Sequence, residues 1–285
     1  MTKILIPGML VLCCLLACSQ RTEPKSPAGY NLGSPEIIKL PALLNEISGI
    51  SFNNGDPDTL YAEQDEDGKV FYFKPGTPDI SSSRFHKKGD YEDISISKGK
   101  VFILRSDGSL FSFDKVGLNG DEATGVREHS GILPRGEYEA MFVNPADGKM
   151  VILCKSCKGD NPSQSITGYV LNTGDSSLAL DKDFQVNSKE ISALLDNAKV
   201  VFRPSAVTLN PVTNEWFILS SVNKLLVVAD NEWKVKQVFK LDPTLFSQPE
   251  GIAFDRERNL YISNERGDLN AATVLKFIYK NNNEQ

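Results

Sequence analysis

Short apolar runs recur along this chain, each bounded by turn residues and each too short for a buried helix. The runs "ISGISF" (47–52), "YEDISI" (91–96), "YEAMFV" (138–143), "PSAVTL" (204–209) and "PEGIAF" (249–254) begin alike, with a polar or small residue ahead of an apolar alternation. Each passes through a polar turn into a second run: "TLYAEQ", "KVFILRS", "KMVILCK", "EWFILSS" and "NLYISNE". A third run often follows, as in "KVFYF", "SLFSF", "GYVLN", "KLLVVA" and "TVLKFIY". Aligning Ser48, Glu92, Glu139, Ser205 and Glu250 gives steps of 44, 47, 66 and 45 residues. An all-β repeat of about 45 residues with three or four strands predicts a β-propeller. Five blades are expected, and six are the alternative should the long step hide a degenerate blade. "NSKEISALLDNAKVV" (187–201) instead predicts a short helix near 188–199, with leucines at helical spacing behind an Asn/Ser cap. "EIIKL" (36–40) precedes the first repeat and is expected to complete the last blade from outside, closing the ring so that no sheet edge stays open.

In a propeller the first strand of each blade lines the central channel, so Ser48, Glu92, Glu139, Ser205 and Glu250 are expected to form a ring. The ends of the second strands add another, approximately Asp65, Ser106, Lys155, Ser221 and Glu265, beside Gln64, Arg105, Cys154, Ser220 and Asn264. Carboxylates gathered in this way repel one another, and at least one takes up a proton unless something compensates them. A hard divalent cation is one remedy, calcium accepting six to eight oxygen ligands in flexible geometry. An ionic network through Lys155, Arg105 and Arg203 is the other. The acidic stretch "EQDEDG" (63–68) lacks the alternating oxygen pattern and closing glutamate of an EF-hand and reads as a solvated turn.

The motifs "EISGISF", "GDYEDISI", "LRSDGSLFSF", "GEYEAMFV", "FRPSAVTLNPVTNEWFILSS" and "QPEGIAFDRERNLYISNE", in this order over nearly all of 36–280, resemble the SdiA-regulated (YjiK-like) proteins, distant relatives of NHL-repeat propellers. The resemblance implies a five-bladed propeller, a membrane-tethered amino terminus and a calcium site in the propeller. It implies no activity. Glu92, Glu139, Glu250, Asp65 and Glu265 are the candidate ligands for that calcium.

The chain's first residues change the picture of its surroundings. Lys3 precedes the apolar run "ILIPGMLVLCCLLA", which ends in "LLAC" at 15–18 and resembles a bacterial lipobox. Residues 1–17 are then a signal peptide and Cys18 carries acyl chains, with 18–34 as a flexible tether and 35–281 as the propeller domain. Ser19 after the cysteine points to the outer membrane, facing the periplasm. The net charge of −6 and the lack of a basic run argue against nucleic acid. Of five cysteines, Cys154 and Cys157 alone lie in the expected domain, as a C-x-x-C pair with no second pair to build a zinc site. Plain strand-end cysteines, joined or not by a local disulfide, are one reading and a thiol redox protein another. The two histidines, His86 and His129, sit in polar segments, and no nucleophile elbow, P-loop or dinucleotide fingerprint is present. A monomeric, non-enzymatic envelope propeller that binds a protein or small ligand is therefore the main expectation. A calcium-dependent hydrolase of phosphoesterase or lactonase type, using the same channel, is the alternative.

Overall fold

The computed structural model describes residues 26–174, 177–196, 198–267 and 269–281; the expected signal peptide and Cys18 lie outside the described residues. Strand β1 (Glu36–Lys39) precedes five repeats. The first blade is β2 (Ile47–Phe52), β3 (Leu60–Gln64), β4 (Lys69–Phe73) and β5 (Ile80–Arg84). The second is β6 (Tyr91–Ser97), β7 (Lys100–Arg105), β8 (Leu110–Asp114) and β9 (Arg127–His129). The third is β10 (Gly136–Val143), β11 (Lys149–Cys157), β12 (Ser165–Thr173) and β13 (Leu178–Asn187), followed by helix α1 (Ser188–Leu194). The fourth is β14 (Ala206–Leu209), β15 (Trp216–Ser220), β16 (Leu225–Ala229) and β17 (Val235–Lys240). The fifth is β18 (Pro249–Phe254), β19 (Leu260–Asn264) and β20 (Thr273–Phe277), completed by β1.

The result is five antiparallel four-stranded sheets, each an up-and-down meander. Among the described residues there is no sixth sheet. The long step between repeats is taken up by α1 and by the extended hairpin β12–β13. The Asn187 side chain caps α1 by accepting from the Lys189 N–H at 3.0 Å, and Glu190 reaches across to accept from the Val235 N–H at 2.9 Å. The helix ends at Leu194, sooner than expected, and Asp196 turns into the left-handed region at φ 57°.

Each sheet buries both faces, which is why strands such as "WFILS" and "LLVVA" are apolar throughout rather than alternating. Five apolar clusters result, and each lies between two neighbouring blades. Tyr61, Val70, Ile94 and Ile103 join the first to the second, for example, and Val151, Leu153, Ile218 and Val227 the third to the fourth. The ring closes where Glu36, Ile37, Ile38 and Lys39 pair with Lys276, Leu275, Val274 and Thr273. The packed chain also starts earlier than position 35. Tyr30 and Leu32 are buried against Phe217 and Phe277, the Tyr30 hydroxyl donates to the Arg258 carbonyl at 2.8 Å, and the Lys280 N–H donates to the Gly29 carbonyl at 2.8 Å. A low average hydropathy over 18–34 conceals these two anchoring side chains.

Near the axis the inner strands approach closely, and the residue after each ring position is kept small: Gly49, Ala140, Ala206 and Gly251, with Asp93 as the exception. A Cβ built on Gly251 would lie 2.4 Å from Ser263 Oγ and 2.5 Å from the Ser48 carbonyl oxygen. Neither neighbour yields easily, because Ser263 donates to that carbonyl at 2.7 Å and so ties the fifth blade to the first. Gly251→Ala should therefore cost about 1–3 kcal/mol. That is a melting temperature roughly 2–12 °C lower for a domain of this size. A thermal melt matching the parent would show that this approach is not constrained.

Candidate functional site: the acidic mouth of the channel

All five inner strands run in the same sense along the channel, so their first residues share one mouth and their last residues the other. At the first mouth the backbone of the second ring stitches blade to blade. Asp65 donates its N–H to Glu46 and accepts from Tyr91 of the next blade, at 3.3 and 3.0 Å. Ser106 does the same between Asp90 and Tyr138, at 2.9 Å in both cases. The Arg266 N–H donates to Asn45 at 2.8 Å and carries the pattern across the closure. These bonds fix the side chains of the second ring around the opening.

The carboxylates at this mouth divide into two groups. On the third blade Lys155 pairs with Glu139, and with Glu137 at 3.3 Å. Burial works against the Lys155 ammonium, but the two glutamates outweigh it and hold its pKa above the ordinary lysine value. The ionic network expected of Lys155 is thus present, though only on this side. Arg105 turns away to Asp107 at 2.9 Å and Glu128 at 3.3 Å.

The opposite side lacks such a partner. Glu46, Asp65 and Glu265, from the first and fifth blades, bring one carboxylate oxygen each within 4.8 Å of one another. Glu265 accepts from Gln248 Nε2 at 2.8 Å, whereas Asp65 Oδ1 is buried with no hydrogen-bond partner. Burial pushes Asp65 up to about 6 and Glu265 up to about 8; neighbouring carboxylates, Glu46 among them, add to both. Glu250 rises to about 7, again through burial first and then Glu139, and the Ser221 hydroxyl offsets part of this. Glu92 rises furthest, to about 10, from burial and from Glu139 beside it. Of the five candidate ligands, Asp65 and Glu265 therefore meet in one tight group. Glu250 stands within electrostatic reach of Glu265, Glu92 interacts instead with Glu139, Asp90 and Glu63, and Glu139 is committed to Lys155. Ser205 is committed too: it donates to the Pro249 carbonyl at 2.8 Å and accepts from the Ser221 N–H at 3.2 Å.

Three acidic residues here escape a reading of the repeats. Glu46 lies two positions before Ser48, on the same side of the strand by the period of two. Asp90, Glu137, Arg203 and Gln248 are its counterparts, and this polar column was visible in the alignment. Glu63 occupies a second-strand position that is Leu in three other blades. It is fully buried, accepts from the Gly49 N–H at 2.7 Å and leaves Oε2 unpartnered; burial lifts it to about 8. The acidic stretch at 63–68 is thus a turn only from Asp65 onward. Asp93 fills the space that Gly49 leaves free and accepts from the Ile94 and Met141 N–H groups at 2.8 and 2.7 Å. Burial keeps its carboxyl well above the usual range.

Cys154 and Cys157 form a disulfide, their Cα atoms 5.9 Å apart, and Cys154 is fully buried, so the pair presents no free thiol. Both histidines serve the second blade. His86 Nδ1 lies 3.0 Å from the Tyr91 hydroxyl, and His129 Nε2 lies 2.8 Å from the Ser112 hydroxyl. Among the described residues no helix is long and apolar enough to cross a membrane.

The comparisons with known proteins agree with this architecture. The SdiA-regulated family profile matches residues 170–268, which hold the whole fourth blade and the two inner strands of the fifth. Over those residues this five-bladed β-propeller is similar to the SdiA-regulated family. Among solved structures, the glutaminyl cyclase of Myxococcus xanthus is 12% identical, with a TM-score of 0.56 over 85% of this chain and 93% of that one. A luciferin-regenerating enzyme is 11% identical, with a TM-score of 0.52 over 86% and 95% of the two chains. At such identities the likeness of this propeller to both is one of fold. No curated protein sequence matches it.

The raised carboxyl groups give a pH signature. Each binds its proton more tightly in the folded state than in the unfolded chain, so protonation favours folding. That contribution is complete below about pH 4, the ordinary carboxylate range. It is lost as the pH climbs through the values of Asp65, Glu250, Glu265 and Glu63, from about 6 to about 8. In the presence of a chelator the melting temperature should fall steadily between pH 5 and pH 9. A flat profile over that interval would mean that these groups are not buried against one another.

Proposed function

We infer that this protein is a lipid-anchored propeller of the bacterial envelope that acts by binding, with Ca²⁺ as a structural ion at the acidic mouth. The observation that carries the ion is the buried, unpartnered Asp65 Oδ1 amid the carboxylates of Glu46 and Glu265. A hard cation with oxygen ligands suits this donor set, and its charge would relieve the repulsion that raises Asp65 and Glu265. Asp65, Glu265 and Glu46 would hold the ion, with Glu250 lending charge from beside Glu265. Glu139 belongs instead to the ionic pair with Lys155.

The anchor reading rests on "LLAC" at 15–18. Residues 26–35 pack on the face of the second, opposite mouth, next to Arg258 and Tyr279. A tether from Cys18 would therefore turn the acidic mouth away from the membrane. The broad rim of loops there would then meet a soluble protein or small ligand. Nucleic acid does not suit an acidic opening. Cys18→Ser should move the protein from the membrane fraction to the soluble one, and continued membrane association of that variant would refute the anchor.

Calcium binding to the folded state alone should stabilise it by about 2.7 kcal/mol at a hundredfold excess over the dissociation constant. Chelation should then lower the melting temperature by about 5–11 °C. Asp65→Asn and Glu265→Gln should abolish most of this calcium response, whereas Glu139→Gln should lose stability and keep the response. A melt indifferent to chelator, in protein purified without calcium, would leave the mouth as a purely protonated and ion-paired cluster.

A further inference from the structure

The other mouth has the opposite chemistry. The last residues of β2, β6, β10, β14 and β18 surround a cavity of about 300 Å³. Its wall includes Phe52, Ile96, Phe142, Leu209 and Phe254, one from each blade. Phe254 lies four positions after Glu250, about 13 Å along a strand, so the two mouths are distinct sites on one axis. Between them lie the buried Asp93 and Glu63.

The few polar groups in the wall are arranged in a particular way. Ser51 accepts from the Ile96 N–H at 2.9 Å and Ser95 from the Val143 N–H at 3.0 Å, each from the next blade. Each hydroxyl keeps its own proton to donate, and Thr208 adds a third hydroxyl to the lining. The ionisable groups of the lining are Asp255 and Arg256. Asp255 is satisfied by the Asn259 N–H at 2.8 Å, Asn259 Nδ2 at 2.9 Å and the Tyr261 hydroxyl at 3.0 Å. Arg256 lies at the rim, 3.8 Å from Asp56.

An apolar wall with hydroxyl donors inside it, and an exposed charge at the rim alone, selects one kind of guest. We propose that this cavity binds an uncharged, mainly apolar small molecule bearing a hydrogen-bond acceptor, such as a carbonyl or ether oxygen. The cavity is of the size that takes small ligands, at the lower end of the range. A charged guest would have to shed its hydration inside an apolar wall, where Asp255 is already satisfied and Arg256 stays out at the solvated rim. This site does not rest on the calcium reading, because none of the mouth carboxylates lines it.

The test uses the full chain and the neutral probe N-phenyl-1-naphthylamine, whose fluorescence rises in apolar surroundings. A saturable rise with one probe per chain and a micromolar dissociation constant is expected. The anionic 1-anilinonaphthalene-8-sulfonate should bind at least tenfold more weakly. Leu209→Arg, which places a charge in the wall, should weaken the neutral probe at least tenfold while near-ultraviolet circular dichroism stays native. Should Leu209→Arg fail to fold, Pro211→Trp at the exposed rim narrows the opening and should give the same loss. No saturable rise in the wild type would overturn the proposal, as would tighter binding of the anionic probe or undiminished binding in the folded variant. A chain starting at Ser26 holds every strand of the ring and should bind the neutral probe as the full chain does. Binding that appears only in that shorter chain would make the amino-terminal segment the occupant and overturn the small-molecule assignment.

Discussion

Sheets that must hide both faces impose the ring. No blade has a solvated face to spare, since every interface between neighbours is an apolar cluster of its own. Five such sheets satisfy one another only by standing side by side around an axis, and the axis is then crowded. Small residues follow the ring positions for that reason, and polar atoms near the axis must find partners on the next blade. The hydroxyls of Ser51, Ser95, Ser205 and Ser263 each bond to the backbone of a neighbouring blade. Polar groups buried without such bonds would destabilise the fold at each place.

Parallel inner strands give the channel a direction. What begins each strand is polar and acidic, and what ends it is apolar, so the repeat writes two unlike openings into one short tunnel. The carboxylates at the first opening are compensated unevenly. Lys155 settles the third blade, whereas the junction of the first and fifth blades gathers Glu46, Asp65 and Glu265 with no paired cation among the described residues. That unevenness, rather than the number of acids, makes the junction the distinctive place at the mouth.

The blades, the closing strand at 36–40 and the capped helix were all legible in the sequence, because each follows from local periodicity and turn residues. The ring was legible too, but only as a column of positions. Aligned strands tell which residues share a level; they do not tell which side chains are already engaged. Ser205 and Glu139 stood in the right column and proved to be committed elsewhere. Glu46 and Glu63 belonged to neighbouring columns, where polarity varies between blades and so looks incidental. Tyr30 and Leu32 were missed for a different reason: two anchoring side chains in a polar segment leave no periodic trace.

The pairing of β1 with β20 has a consequence for when the molecule can become itself. Glu36 emerges from the ribosome ahead of the first blade, but its partner Lys276 is made 240 residues later. Until then the first and last blades each keep one apolar face unmatched, and the edge of the final sheet has nothing to bind. Partial rings can assemble blade by blade as synthesis proceeds, yet none of them is the finished object. Closure waits for β20, and long-range strand pairing of this kind is slow and exposed to misassociation. A late strand that seals an otherwise complete structure acts as a clock, and the chain stays open to handling by other proteins until it is set.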